Sequence, residues 1–537
     1  MNSPLPTAGQ DAGTPALPSA PMPGHEVELK FLVDDAAFKA AQQSALIGPP
    51  KRGAQARLRA TYFDTEGGDL AKARMTLRVR SKSSTHTMTV KRAATAGNPM
   101  ARPEVEVPVE GPEPDLEAFG PDVASDLARI TQGQALRPCF VTDIRRTAHV
   151  VPFRHSRIEV SFDTGAIIAG DARESVREIE LELLQGDTAD LFALAVDLLE
   201  TVPARLGVLS KAERGVLLAQ GKAPRAVRAV SPLAPNHSVD DAIGEVIGAC
   251  IQQFTGNWPA FDAGGRPDPV HQMRVAMRRL RAALALFQRS FPSVELGAFR
   301  ADARRIASAM GEARNWDVFG DMVRDGPQTV LQDDDAFGAL LEASEAHRRA
   351  GYDAVGEVIR SPATTRFVLT VMAFVARRGW RNGVSPTNLP LLTAPADGFA
   401  AQHLDRLRRK VRKRGQDMLN LPADERHEVR IALKGLRYAT DFFGTLFPDE
   451  TAVRSFSRAA AQLQDVLGSF NDMVTVTDLV RRVDLGGDLA ATRSGGIVIG
   501  WYSRGAQADL GQLADAWETF RKTKPFWTGA LKARGGQ

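Results

Sequence analysis

The chain has 537 residues, of which 43% are hydrophobic and 25% charged, a composition that excludes wholly disordered, collagenous and membrane-bundle classes and allows two to four domains. The formal net charge of +4 conceals a split: the stretch from His25 to Lys222 is nearly balanced at −2, whereas Asn236 to the end carries +5. Of the 68 cationic residues 54 are Arg, whose fork binds carboxylate or phosphate oxygens in pairs, although a GC-rich genome produces the same bias.

Residues 1–24 are rich in Pro, Ala and Gly and hold no Lys or Arg. Without the charged start and apolar run of a signal peptide, they read as a disordered tail. No run of 18 apolar residues occurs, so neither a transmembrane helix nor a membrane partner is expected. From Glu26 to about Leu184 the dominant period is two, the mark of strands, in EVELKFLV, RLRATYFDT, MTLRVRS, HTMTVKR, RPEVEVPV, RIEVSFD and REIELELL. Helical patterns interrupt at Asp35–Ser44, around Val123–Gln132 and at Thr188–Thr201. This predicts an α+β domain over 25–222, followed by a linker at 223–235 (APRAVRAVSPLAP). The period is then helical over 236–520, and the proline-containing stretch Gly383 to Asp397 divides that all-α domain into halves at 236–383 and 399–520. Residues 521–537 read as a C-terminal tail. Cys139 and Cys250 lie far apart with no CxxC neighbour, which fits a reducing cytoplasm and offers no cysteine metal site.

In a strand, residues i, i+2 and i+4 share a face. Glu26, Glu28 and Lys30 therefore lie opposite Val27, Leu29 and Phe31, and Glu178, Glu180 and Glu182 opposite Ile179, Leu181 and Leu183. Arg78 and Arg80 lie opposite Leu77 and Val79, while Glu104 and Glu106 alternate with Val105 and Val107, and Glu159 and Asp163 with Ile158, Val160 and Phe162. One such strand is the solvated face of an antiparallel sheet. Five of them, with the signs sorted by strand, suit a closed barrel with its charges inside, cations for a polyanion and acids for its metal. The apolar exterior of such a barrel needs cover from the interspersed helices.

The opening Glu26-x-Glu28-x-Lys30 resembles the ExExK signature of CYTH domains, the triphosphate tunnel metalloenzymes. The resemblance continues in the family's order through Tyr62-Phe63-Asp64-Thr65, Leu77-Arg78-Val79-Arg80, Lys91, Arg102-Pro103-Glu104, Arg146, Glu159 with Asp163, Glu178-Glu180-Glu182, and Ser210-Lys211 before Glu213-Arg214-Gly215. It covers about His25 to Gly221 and implies an eight-stranded antiparallel β-tunnel that takes a triphosphate with Mg²⁺ or Mn²⁺. By that resemblance Arg78, Arg80, Lys91 and Arg146 hold phosphates, and Glu26, Glu28, Glu178, Glu180 and Glu182 hold the metal, with Glu159 and Asp163 as further acidic ligands. Lys30 and Lys211 stand near the terminal phosphorus as catalytic residues. Arg57 and Arg59 are candidate phosphate ligands too, and parity does not choose between them because they share a face. Hydrolysis of a triphosphate needs neutralised oxygens and in-line attack, hard oxygen ligands suit Mg²⁺, and no Ser/His/Asp set or Walker-type loop is needed or found.

In the helical part, His271, Arg274, Arg278 and Arg281 recur as His427, Arg430, Lys434 and Arg437 at a constant offset of 156 residues, and the run Met310–Asn315 is echoed by Leu467–Asp472. A fixed offset indicates a duplicated unit. On a helix the first four positions fall within an arc of about 80°, opposite Met273, Met277, Leu280 and Leu284. A single cationic stripe is ordinarily a solvated face. One that recurs with the same types and spacing, and without interleaved acids, repels itself unless an anion meets it. Neither His271 nor His427 has a second His at i+3 or i+4, so a zinc site is weakly supported.

This pattern is similar to the CHAD domain, over about Asn236 to Phe520. The resemblance implies two four-helix bundles in pseudo-twofold relation that bind long-chain inorganic polyphosphate along the eight stripe positions, with Arg348, Arg349, Lys413 and Arg414 as further candidates. Arg314 and Asn315 are matched by Asn471 and Asp472, so the copies need not bind equally. The CYTH–CHAD order resembles that of bacterial inorganic triphosphatases. The expectation is a cytoplasmic hydrolase that cleaves tripolyphosphate to pyrophosphate and phosphate and associates with polyphosphate granules. The alternatives are thiamine triphosphatase or adenylate cyclase chemistry in the same tunnel, and a non-catalytic polyphosphate-granule binding protein. With 7% aromatic residues and no nucleic-acid motif, a nucleic-acid partner is not expected.

Overall fold

Alternating apolar and charged side chains leave one wet and one dry face per strand, and the chain resolves this by closing the sheet on itself. The computed structural model describes residues 25–48, 55–82, 85–92, 101–231, 233–331, 336–483, 485, 487–508 and 510–535; the expected tail at 1–24 lies outside them. The strands are β1 (His25–Leu32), β2 (Gln55–Asp64), β3 (Met75–Lys82), β4 (Thr85–Arg92), β5 (Ala101–Val109), β6 (Arg137–Phe153), β7 (Ser156–Ala169), β8 (Ala172–Gln185) and the two-residue β9 (Arg205–Leu206). They pair in the order β5-β4-β3-β2-β6-β7-β8-β1-β9. β5 also returns antiparallel to β1, with Glu26 opposite Arg102, so β1 to β8 form a closed barrel without a free edge. β9 is an addition to the expected eight strands and extends β1 beside Phe31 and Leu32.

The apolar faces point outward and are covered by helices. Leu29, Phe31, Val160, Phe162, Ile179 and Leu181 share one core with Leu191, Leu194 and Leu198 of a helix at Thr188–Leu198. Leu77, Val79, Met88 and Val90 pack with Phe119 and with Leu127 of a helix at Pro121–Thr131. In chain order the helices of this domain are α1 (Asp35–Gln42), α2 (Asp69–Lys72), α3 (Pro121–Thr131), α4 (Thr188–Leu198) and α5 (Lys211–Ala219). Each large side chain so buried contributes about 1.5–3 kcal/mol.

α5 starts on a capping box, with Ser210 Oγ accepting from Glu213 N while the Glu213 carboxylate accepts from Ser210 N at 2.8 Å. Its Gly215 lies against the ring of Phe140, where any Cβ would collide. Gly215→Ala is therefore expected to cost about 1–3 kcal/mol by overpacking. A denaturation midpoint equal to that of the wild type would show that α5 does not press on β6.

The helical domain comprises α6 (Val239–Gly256), α7 (Trp258–Asp262), α8 (Asp268–Phe287), α9 (Val294–Asp325), α10 (Ala336–Arg360), α11 (Pro362–Ala376), α12 (Leu389–Thr393), α13 (Ala396–Arg414), α14 (Ala423–Phe443), α15 (Glu450–Arg482), α16 (Leu489–Ala508), α17 (Leu510–Lys522) and α18 (Thr528–Gly535). The duplication shows in the packing: α8 lies between α6 and α9 as α14 lies between α13 and α15, and the halves meet where α8 touches α14 and α10 touches α16. No single described helix is long and apolar enough to cross a membrane.

Two expected connectors are docked instead of free. The C-terminal segment buries Trp527 completely against Phe456, and α18 packs on α13, because its aromatic residues complete the core. The expected linker is fixed by Ser231 Oγ, which donates to Phe442 O at 3.2 Å, and by buried Leu233. The barrel and the helical domain also share one apolar core, with α4 packed on α11 and ion pairs Arg366–Glu200 and Arg205–Asp262 across the junction.

Candidate active site

Strand register stacks the inward side chains in levels. Lys30, Glu180 and Ser161 form one level, and Glu28, Glu182 and Glu159 the next. Glu178, Asp163 and Arg146 form a third. On the opposite wall Arg78 lies between Tyr62 and Thr89, Arg80 between Ala60 and Thr87, and Lys91 between Thr76 and Glu104. These walls enclose a cavity of about 870 Å³. The side chain of Glu26 lies outside the described residues.

Asp163, Glu178 and Glu180 are buried, and their carboxylate oxygens lie within 4.8 Å of one another. Lys211, the first residue of α5, enters this group: its Nζ is 2.8 Å from Asp163 Oδ2 and 2.9 Å from Glu180 Oε1, and it also pairs with Glu178. Arg146 forks Asp163, with Nε to Oδ1 at 2.8 Å and Nη2 to Oδ2 at 2.7 Å, and pairs with Glu180 as well. Burial alone drives Glu180 toward its neutral form, but Lys211, Lys30 and Arg146 outweigh it and hold the carboxyl well below its usual range. Burial likewise lowers Lys211, and Glu180, Glu178 and Asp163 outweigh that and raise it above its ordinary value. At neutral pH, Glu180 is thus ionised and Lys211 is charged. Converging hard carboxylate oxygens, with Glu28, Glu159 and Glu182 on the adjacent level, are a donor set that fits Mg²⁺ or Mn²⁺.

On the cationic wall, Lys91 Nζ is 2.7 Å from Glu104 Oε2, and Arg78 Nη2 is 3.4 Å from Glu104 and 3.5 Å from Glu106. Glu104 and Glu106 stand in the sequence as an alternating acidic pair without a role; here Glu104 pairs with Lys91 and Arg78 and Glu106 with Arg78, which fixes these lumen cations. Arg80 is lowered by burial and by the adjacent Arg78, so an incoming anion relieves the crowding. Arg214 is a further residue that sequence reasoning left without a role; it links Glu174 at 2.7 Å to Glu178 at 3.1 Å and so anchors the acidic cluster to α5.

Arg57 and Arg59 are a correction. Their neighbours Leu58 and Ala60 face the cavity, which turns both arginines outward. Arg57 forks Asp143 on the exterior, at 2.9 and 2.6 Å, with its side chain 68% exposed. Neither arginine reaches the lumen.

A second charged site lies where α8 meets α14. Arg274 and Arg278 of α8 act on Lys434 of α14 together with Arg430, while Arg314 of α9 and Arg274 act on His271. Arg274 lies over Gly311 and Arg430 over Gly468, where an added Cβ would lie 3.8 and 3.9 Å from a guanidinium nitrogen. The echoed glycines thus lie beside the repeated arginines in both halves, at a separation that a methyl group would also tolerate. Arg274, Arg278, Arg281, Arg430, Lys434 and Arg437 form no ion pair among the described residues, and the Nε atoms of Arg281 and Arg430 are buried without a hydrogen-bond partner. Three of the further candidates are compensated within the protein: Arg348 pairs with Asp317 at 2.9 Å, Arg349 with Glu345 at 3.7 Å and Arg414 with Glu428 at 2.7 Å. Lys413 is exposed.

Comparison with known proteins agrees with this division. A CYTH domain is matched over residues 24–216 and a CHAD domain over residues 245–481. An inorganic triphosphatase of Haemophilus influenzae is 37% identical over 165 residues; the match covers 29% of this chain and only 45% of that protein's length. An uncharacterized protein of Mycobacterium tuberculosis is 26% identical over 487 residues, covering 85% of this chain and 88% of the relative. The crystal structure of the CHAD domain from the plant Ricinus communis has a TM-score of 0.48 at 26% identity, covering 56% of this chain and 98% of that one.

Proposed function

Because this chain belongs to the CYTH–CHAD proteins, with the first domain at 24–216 and the second at 245–481, we propose that its barrel is a metal-dependent inorganic triphosphatase and its helical domain a polyphosphate-binding module. The observation that carries the reading is the lumen itself, where a buried carboxylate cluster with paired cations faces a second cationic wall across one cavity. Arg78, Arg80, Lys91 and Arg146 bind phosphate oxygens. Glu28, Glu159, Asp163, Glu178, Glu180 and Glu182, with Glu26, hold Mg²⁺ or Mn²⁺, which when bound neutralises phosphate oxygens and acidifies water. Lys211 stays protonated and stabilises charge that develops on the phosphoryl oxygens. Lys30, paired with Glu28 and 4.0 Å from Glu180, orients those carboxylates. Water is consumed, the phosphoanhydride bond breaks, and pyrophosphate and phosphate leave.

An inorganic substrate is favoured over a nucleotide or thiamine ester because Tyr62, stacked on Phe140 at 4.4 Å, is the one aromatic side chain among the described residues that line the cavity. The second domain binds a linear polyphosphate at the convergent cations of α8 and α14, and its affinity falls steeply with salt, as for other polyanions. The protein is then a cytoplasmic enzyme able to dock on polyphosphate granules.

A substrate panel tests the enzyme reading. With Mg²⁺, the full chain is expected to release phosphate faster from tripolyphosphate than from ATP or thiamine triphosphate. Chelation should abolish the release, and Glu28→Ala and Lys91→Ala should each lower it by at least about 10²-fold. Faster turnover of ATP, or formation of a cyclic nucleotide, would replace the inorganic reading. Unchanged rates in both variants would remove the tunnel as the site.

A further inference from the structure

The cavity is not built by the barrel alone. Its lining includes Pro224, Arg225 and Val227 from the segment between the domains, and Gly256 and Pro259 from the α6–α7 corner of the helical domain. The chain reaches this position by a defined turn. α5 ends at Ala219 with Gln220 as its C-cap, and the next residue, Gly221, has a left-handed φ of 59°, with Lys222 N donating to Leu217 O at 3.0 Å and Gly221 N to Leu218 O at 3.1 Å. This glycine cap reverses the chain and sends it back past the cavity.

The segment is then clamped from the helical domain. Asn257 is fully buried. Its Oδ1 accepts from Val227 N at 2.9 Å, and its Nδ2 donates to Val227 O at 2.9 Å and to Gln253 O at 2.6 Å. Both amide hydrogens and the carbonyl are thus committed, two of the three bonds to a single residue of the segment. The surrounding corner is fixed by the Arg205–Asp262 pair and by Arg205 over the Trp258 ring at 5.2 Å. Two residues before the clamp, Arg225 borders the cavity as an exposed cation that forms no ion pair among the described residues.

We propose that Arg225 binds the outer end of the phosphate chain at the cavity mouth, and that Asn257 is the positioning residue that holds it there, so that the helical domain completes the active site. The proposal rests on the triphosphatase reading for its substrate, a linear inorganic phosphate chain.

Steady-state kinetics and calorimetric titration of the full chain with tripolyphosphate test it. Arg225→Gln is expected to raise KM about 3- to 10-fold while kcat stays within about twofold, and Arg225→Lys to recover part of the loss. Asn257→Ala should raise KM to the same extent and add nothing to Arg225→Gln. A wild-type KM in Arg225→Gln overturns the proposal. So does full additivity of the two substitutions, because the amide would then not act through Arg225. Should Asn257→Ala fail to fold, the two Arg225 variants decide. If the wild type binds tripolyphosphate without hydrolysing it and Arg225→Gln weakens that binding, this proposal stands and the triphosphatase reading falls. If the wild type hydrolyses it and Arg225→Gln changes nothing, the reverse holds. A wild type that does not bind it overturns both.

Discussion

Lys211→Met is expected to lower tripolyphosphate hydrolysis by about 10³-fold and to destabilise the fold by about 3–5 kcal/mol. The ammonium touches Asp163, Glu178 and Glu180 together, and removing it leaves three buried carboxylates with Arg146 and Lys30 as the remaining cations near Glu180. The sign follows from Glu180. A carboxyl held below its unfolded value contributes stability that is present above the ordinary carboxylate range and lost as pH falls through the depressed folded value. Without Lys211 that value rises toward the unfolded one, so this group contributes less stability at neutral pH and less is lost on acidification. Denaturant titrations should therefore separate the variant from the wild type most at pH 7 and bring the two closer as pH falls below the ordinary carboxylate range. The companion Lys211→Met/Glu180→Gln, which also removes one uncompensated charge, should regain stability without regaining activity. If the single variant keeps wild-type stability and rate, Lys211 is a spectator.

The site was legible in the sequence wherever a short period carried it. Alternation placed Glu28 with Lys30, Glu178 with Glu180 and Arg78 with Arg80 on single faces, and register adds which of them meet across strands. It did not decide which face of β2 is inside, because Arg57 and Arg59 share parity and only the closure of the barrel turns Leu58 and Ala60 inward. β6 escaped the period-two reading for a related reason. Its 17 residues put Thr142, Ile144 and Arg146 on one side and Asp143 and Arg145 on the other, so neither face is uniform. In the helical domain the repeat was plain, but the meeting of Arg278 with Lys434 joins helices far apart in the chain. The same holds for Asn257 and Val227, where a buried amide fixed a segment that composition alone marked as a linker.

Polyphosphate affinity is expected to fall with rising pH above 7, by up to about tenfold per unit for one proton taken up on binding. Burial and the neighbouring Arg278, Arg430 and Arg274 push Lys434 down to about 7, only partly opposed by Asp472. A bound polyanion restores the charge, so above that value the lysine must be protonated as the chain binds. His271 is lowered from its ordinary value by burial and by Arg314 and Arg274, so variants of Lys434 are needed to separate its part of the slope from that of the lysine. The free protein should respond in the opposite direction. A lysine whose folded value lies below its unfolded one binds fewer protons in the native state between the two, so stability rises as pH increases through 7. One group thus produces opposed trends in binding and in stability, which general loss of surface charge does not. Lys434→Arg should bind polyphosphate with a flat profile from pH 6 to 9, since guanidinium stays charged, and Lys434→Met should be flat but weaker at the acidic end. A flat wild-type profile, or a slope that survives in Lys434→Arg, would remove Lys434 as the titrating group and leave the stripe of α8 and α14 as a fixed charge array.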